Sequence, residues 1–194
     1  MAERLDVAVV GAGPFGLSVS AHLPDRRVRV FGRPMETWRA HMPPDMLLRS
    51  AWEETSMSAP HGGYTLDAWT AETGERRQEP IPLPMFLRYG DWFRDRFVPE
   101  VDAHDVTRLE RADGGYRLTT TGGQEVAARR VVLAVGVMPF SHAPAPLREA
   151  LGQGVTFAAD ETDWSRFRGR RVVVVGGGQG ALESACQAAR ARPT

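Results

Sequence analysis

The 194-residue sequence contains no Lys and no Asn, one Ile (Ile81) and one Cys (Cys186). Lys, Asn and Ile share A/T-rich codons, so their scarcity reads as the coding bias of a G/C-rich genome. The chemical consequences hold whatever the cause. Without Lys there is no Walker-A phosphate loop, no pyridoxal Schiff base and no Tyr-x-x-x-Lys reductase site. Without Asn there is no N-glycosylation sequon. A single thiol excludes an intrachain disulfide, a Cys-x-x-Cys redox pair and a thiolate metal cluster. His22, His41, His61, His104 and His142 show no metal-ligand spacing, so no metal is expected. All 24 basic residues are Arg; they balance 24 acidic ones, and no basic stripe stands out. Nucleic acid and anionic membranes are therefore not expected as partners; a small-molecule substrate is. No apolar run is long enough to span a bilayer, and the charged start, Met1 to Asp6, lacks a signal-peptide pattern. The cytoplasm is the expected location.

What is present is an ordinary globular balance, 42% hydrophobic and 25% charged. Leu5 to Val10 (LDVAVV) is a Val-rich run that reads as a strand buried on both faces. Gly11 to Gly16 punctuates it, Leu17 to Leu23 continues at helical spacing, and Val28 to Phe31 reads as a second strand. That order opens a βαβ unit. Residues 34 to 85 have no clean period and suggest loops with short helices. Phe86 to Phe97 sets Phe86, Tyr89, Phe93 and Phe97 on one helical face, read as core, with Pro99 as the stop. From Val106 the period changes to two. Val106 to Glu110, Tyr116 to Thr121 and Gln124 to Arg129 form an expected antiparallel meander, running into a buried strand at Val131 to Val135. After a Pro-rich connector, Arg170 to Val175, Gly176 to Gly180 and Ala181 to Arg192 repeat the strand, glycine turn and helix of the beginning. Cys186 falls in that last helix and reads as a small core residue.

Gly11-x-Gly13-x-x-Gly16 follows a strand and opens a helix, the context that gives this short pattern weight. Gly11 permits the turn, Gly13 lets backbone approach a pyrophosphate, and Gly16 lets helix pack on strand. The acid that usually meets the ribose at the end of the second strand is missing; Gly32 and Arg33 stand there instead. Arg33 could meet a 2′-phosphate, stack on an adenine or lie in solvent, and spacing leaves the choice open. Gly176-x-Gly178-x-x-Ala181 is a second such fingerprint, its turn completed by Gln179 and Gly180. Two fingerprints separated by a meander point to a flavoprotein with two dinucleotide sites.

The sequence resembles the flavin-dependent N-hydroxylating (lysine/ornithine) and Baeyer–Villiger-type monooxygenases, within the two-dinucleotide-binding flavoproteins. The resemblance rests on GAGPFGLSVSAHL (11–23), FGRPMETW (31–38), MLLRS (46–50), RRVVLAVGVMPF (129–140) and FRGRRVVVVGGGQGALESA (167–185). It covers nearly all of this chain and only the N-terminal half of such an enzyme. It implies an α/β fold: a Rossmann-like FAD-binding domain over 1–150, with parallel sheet plus meander, then an incomplete NAD(P)-binding unit over 151–194. It implies that Gly11, Gly13, Pro14, Phe15 and Gly16 bind the FAD pyrophosphate and that the Val106 backbone contacts adenine. Ala134, Val135 and Gly136 stand where the chain passes back close to FAD. Gly176, Gly178, Gln179, Gly180 and Ala181 would open the NAD(P)H site. Arg33 is tolerable at an FAD edge, because some members carry Gly-Arg there. Trp38, Met46, Leu48, Arg49, Ser50 and Trp52 are candidates for the flavin-ring surroundings, and His61 beside Gly62-Gly63 is a further one.

The departures concern catalysis. Phe167 and Gly169 fit the family's Phe-x-Gly, but Phe157 and Glu161 stand where relatives often show His. The Asn that some relatives hold beside the flavin cannot be present, and no catalytic residue is assigned. The implied function is an FAD-dependent, NAD(P)H-dependent monooxygenase in partial form. The alternatives are a flavin reductase or dehydrogenase without oxygen insertion, and a non-catalytic nucleotide-binding remnant. The strand at 172–175 lacks a parallel neighbour in its own unit. Residues from about 170 onward are therefore expected to dock on the first domain, pair with another copy or stay loosely ordered.

Overall fold

Leu5–Val10 is apolar at every position but Asp6 and leaves β1 no solvent face; it lies inside a six-stranded sheet ordered β3-β2-β1-β6-β5-β4. The computed structural model describes residues 4–98, 100–161 and 163–191. After β1 come α1 (Pro14–Ala21), β2 (Val28–Phe31), α2 (Glu36–Ala40), α3 (Leu66–Thr73) and α4 (Leu83–Phe97). Next are β3 (Val101–Asp102), β4 (Val106–Ala112), β5 (Gly115–Thr120) and β6 (Glu125–Leu133), then α5 (Ala145–Arg148) and α6 (Gln179–Arg190). β3, β2, β1 and β6 run parallel, while β6, β5 and β4 form the antiparallel meander. This is the Rossmann-like arrangement that the resemblance implied.

The alternation in β1 and β2 feeds two apolar clusters. Val7, Val9, Val28 and Val30 meet Val19 of α1 and Leu23 just after it. Leu5, Ala8 and Phe31 meet Leu118, Val126 and Ala128 of the meander. A third cluster joins α1 to the helical layer, where Phe86, Tyr89 and Phe93 of α4 pack with Trp52, Leu66 and Trp69. The aromatic stripe of α4 is core, as its spacing indicates. Much of the irregular stretch 34–85 is core as well: Met35, Leu48, Trp52, Met57, Leu66, Trp69 and Ile81 are buried. The Tyr89 hydroxyl ties it down, donating to the Tyr64 carbonyl and accepting from the Met57 N–H at 2.8 Å. Burial raises the Tyr89 pKa well above that of a free phenol.

Several expectations need correction. The third meander strand and the run at Val131 to Val135 are one strand, β6. Its first part pairs antiparallel with β5 (Leu118↔Val126), and it also pairs parallel with β1 (Val10↔Leu133). No turn residue separates Arg129 from Val131, so the change of period marks a change of neighbours and not a break. Nor is that run wholly buried, since Leu133 and Val135 are exposed. β3 is too short to carry a period and was not anticipated. Arg170 to Val175 forms no strand, and Val173 and Val175 are 82% and 73% exposed. With no neighbour to complete their backbone hydrogen bonds, four consecutive valines do not make a strand. Cys186 is exposed, not core. The helix stop at Pro99 and the helix end at Arg192 lie outside the described residues. The chain divides into two compact units between Pro139 and Phe140, at the start of the Pro-rich connector. The resemblance places the domain boundary at 150/151, within the second of these units.

Candidate nucleotide-binding site

Three elements converge on Gly11–Gly16 in the first unit. The Gly11 N–H donates to the Phe31 carbonyl at the end of β2 (2.8 Å), and the Met35 N–H to the Ala12 carbonyl (3.0 Å). At the end of β6 the Ala134 N–H donates to the Val10 carbonyl at 2.7 Å. Gly11 has φ +111°, and a Cβ there would lie 2.2 Å from the Ala134 carbonyl oxygen. A Cβ on Gly16 would lie 1.9 Å from the Gly11 carbonyl oxygen. Both glycines are therefore demanded by close packing. Gly13 differs: its backbone is extended (φ −81°, ψ −178°), and a Cβ would meet nothing within 4 Å.

The space over Gly13 is thus open. It faces the N-terminus of α1, which has no side-chain cap and begins with Pro14. The unpaired N–H groups of the first turn and the positive end of the helix dipole suit an anion there. Phe15 is 82% exposed beside it. These features fit a dinucleotide diphosphate. A hollow of about 480 Å³, which shares Phe15 with the turn and has an apolar lining that includes Val7, Val19, Leu23 and Val132, offers no comparable set of converging N–H groups.

The other candidates are distributed unevenly. Ala134 packs on the turn, its Cβ 3.4 Å from where a Gly16 Cβ would sit, and Gly136 has φ +70°. Val106 begins β4. Trp38 meets Phe86 edge-on at 5.0 Å between ring centres, and Leu48 is buried in the helical-layer core. Trp52 is buried with its Nε1–H on Asp67 (2.7 Å), so it is committed to the core. Arg49, Ser50 and His61 are exposed. Arg33 is not a lone cation: its Nε lies 3.5 Å from Glu36 Oε1 and its Nη2 lies 3.5 Å from Asp105 Oδ2. The sequence reading missed Asp105, which follows β3 and reaches this corner only through the sheet order.

The second unit carries the same turn. Gly176 has φ +146°, and a Cβ there would press on the Ala181 Cβ at 3.1 Å. Gly178 is extended (φ −90°, ψ 179°), nothing lies within 4 Å of its Cβ position, and α6 starts uncapped at Gln179. Gly176 and Gly178 thus take the same backbone regions as Gly11 and Gly13. Elsewhere in this unit Glu161 is buried against Arg166 at 3.2 Å, and the Trp164 and Phe167 rings meet in a tilted contact at 5.7 Å between centres. Among the described residues no cluster of three or more His, Cys, Asp or Glu could hold a metal. Nor, among the described residues, is any helix long and apolar enough to cross a membrane.

A parallel sheet with a meander and two glycine turns at uncapped helix starts defines a dinucleotide-binding oxidoreductase fold. Residues 8–193 match the family Pyridine nucleotide-disulphide oxidoreductase, and the chain belongs to it. It is 27% identical to the FAD-dependent urate hydroxylase of Xanthomonas campestris pv. campestris, over 93% of this chain and 42% of that protein. It is 30% identical to a ferredoxin–NADP reductase of Rhodospirillum rubrum, over 93% of this chain and 48% of that one. Among solved structures, bacillithiol disulfide reductase of Staphylococcus aureus superposes with a TM-score of 0.78 at 16% identity, covering 99% of this chain and 56% of its own. The chain spans about half the length of the curated relatives it matches. The curated relatives of this family include an FAD-dependent hydroxylase and NADP-linked reductases, and FAD and NADP(H) are its typical cofactors.

Proposed function

We propose that the chain forms the FAD-binding portion, and the opening of the NAD(P)H-binding portion, of a flavin-dependent monooxygenase. The observation that carries this reading is the pair of turns, each with an open glycine ahead of an uncapped helix. In this reading the main chain of Gly11, Gly13, Pro14, Phe15 and Gly16 holds the FAD diphosphate. Ala134, Val135 and Gly136 wall the same cradle, the Val106 backbone meets the adenine, and Trp38, Leu48 and Arg49 border the flavin side. Gly176, Gly178, Gln179, Gly180 and Ala181 receive the nicotinamide dinucleotide. When bound, FAD would supply the redox chemistry, hydride and electron transfer, that no side chain here can provide. The protein contributes binding, orientation and exclusion of water.

A reductase without oxygen insertion is the second reading. It is favoured by the ferredoxin–NADP reductases among the relatives, which align over more than nine-tenths of this chain. The two part on product: an oxygenated organic compound for the first, a reduced acceptor with no oxygenated product for the second.

The binding site is tested by Gly13→Val. Gly13 has an ordinary negative φ and open space at its Cβ position, so the variant should fold with an unchanged melting temperature. The added side chain would occupy the diphosphate space, and FAD affinity followed by flavin fluorescence should fall at least tenfold. Full affinity in Gly13→Val would place FAD elsewhere.

A further inference from the structure

Resting on the reading that the first turn holds FAD, we infer that Asp105 holds the adenosine ribose there and restricts the site to a dinucleotide with a free 2′-hydroxyl. In a Rossmann unit this task falls to an Asp or Glu at the end of the second strand. Here Phe31 ends β2, and the next residue is Gly32, with φ +118° and its N–H on the Asp102 carbonyl at 2.8 Å. No side chain can come from that position. A Cβ built on Gly32 would lie 3.5 Å from the Ala12 nitrogen in the glycine turn and 4.0 Å from Asp105 Oδ1. The carboxylate of Asp105 therefore borders the space that a second-strand acid would fill. It arrives from the connection between β3 and β4 instead of from β2.

Asp105 is built to hold that place. Its N–H donates to the Thr121 hydroxyl oxygen at 3.2 Å, and its carbonyl accepts the Thr121 N–H at 2.8 Å. The main chain is thereby fixed on the meander, while the side chain remains 54% exposed and open to a ligand. A carboxylate accepts from ribose hydroxyls, and such charge-assisted bonds are among the stronger ones. The surrounding charge selects further. Arg33 lies between Asp105 and Glu36, so the corner holds one cation and two carboxylates, a net charge of −1. A neutral 2′-hydroxyl donates into that field, whereas a 2′-phosphate would meet repulsion and would have to draw Arg33 away from both carboxylates. The cation that by itself suggests a phosphorylated ribose is already engaged.

The test uses the full chain and three probes that displace FAD: ADP, 2′-deoxy-ADP and adenosine 2′,5′-bisphosphate. The wild type should bind ADP about tenfold more tightly than 2′-deoxy-ADP, the effect of one hydrogen bond to a charged group. Asp105→Ala should bind FAD about tenfold more weakly and lose the preference for ADP over 2′-deoxy-ADP. The Thr121 bonds are made by the main chain, so the variant keeps its anchorage. Asp105→Asn, of the same shape without the charge, should bind the bisphosphate better than the wild type does. An Asp105→Ala protein that still prefers ADP, or that weakens both probes equally, would overturn the inference while leaving the FAD site standing. So would a wild type that binds the bisphosphate more tightly than ADP, since Arg33 would then be reading the ribose. FAD binding that survives Gly13→Val would instead remove the underlying site, and this inference with it.

Discussion

The glycines of the first turn differ in what they do, and substitution separates their roles. Gly13 leaves room for a ligand; Gly16 leaves room for the protein itself. A Cβ at Gly16 would overlap the Gly11 carbonyl oxygen at 1.9 Å, a main-chain atom that cannot swing aside. Gly16→Val must therefore push α1 off the sheet. Overpacking commonly costs about 1–3 kcal/mol, and this backbone clash should lie at or beyond the upper end. Chemical denaturation should show the loss with or without FAD present, whereas Gly13→Val should change only binding. The first-turn glycine pattern was legible in the sequence because its spacing records local geometry. Asp105 was not legible. It lies 73 residues after Gly32 in the chain and reaches the turn only because β3 pairs with β2 in the sheet. A two-residue strand leaves no period by which to foresee that pairing.

At the scale of elements, α4 supports the helical layer with one aromatic face. Phe93 is fully buried between Tyr89 and Phe97, at ring-centre distances of 6.3 and 5.0 Å. Phe93→Ala should lower unfolding free energy by about 3–5 kcal/mol, the usual cost of emptying an aromatic site in a core. A loss below about 1 kcal/mol would mean the layer closes over the gap. The short β3 makes a different contribution through Asp102. Burial alone would raise that carboxyl's pKa, but the His104 N–H and ring, with Arg29 nearby, outweigh it and hold the pKa below the ordinary value. A pKa lower in the folded than in the unfolded state contributes stability above the ordinary carboxylate value of about 4. That contribution is lost as pH falls through the folded value. Wild type should exceed Asp102→Asn in stability at pH 6, and the difference should close as acidification carries the pH through the lowered folded value. A difference that stays constant with pH would sink this account. Strand and helix existence was largely legible here from period and composition. What periodicity could not supply was which neighbours a run would find, and so β6 was split in two and Val172 to Val175 was credited with a strand.

For the whole molecule, the two turns share a backbone but not a setting. The first is clasped by β1, β2 and β6, and its glycines touch main chain from separate strands. In the second, a Cβ on Gly176 would press on Ala181, five residues further on, and Val173 and Val175 of the run that leads into it are exposed. A dinucleotide half-site draws its second wall and its ribose contact from a neighbouring parallel strand. No such strand stands beside Val172–Val175 among the described residues. Ordering a turn that lacks this support must come out of the binding free energy, because each residue fixed costs about 1–2 kcal/mol of conformational entropy. The 194-residue chain should therefore bind FAD more tightly than NADPH, by at least tenfold. Mixed with both in air, it should oxidise NADPH far below an ordinary enzymatic rate of about 1 s⁻¹. Equilibrium titration of each nucleotide and the fall of nicotinamide absorbance measure the two quantities directly. Equal affinities, or turnover at or above about 1 s⁻¹, would mean that the second turn acquires its missing wall from another copy of the chain. Dilution should then abolish the activity, since pairing between copies depends on concentration and support within one chain does not.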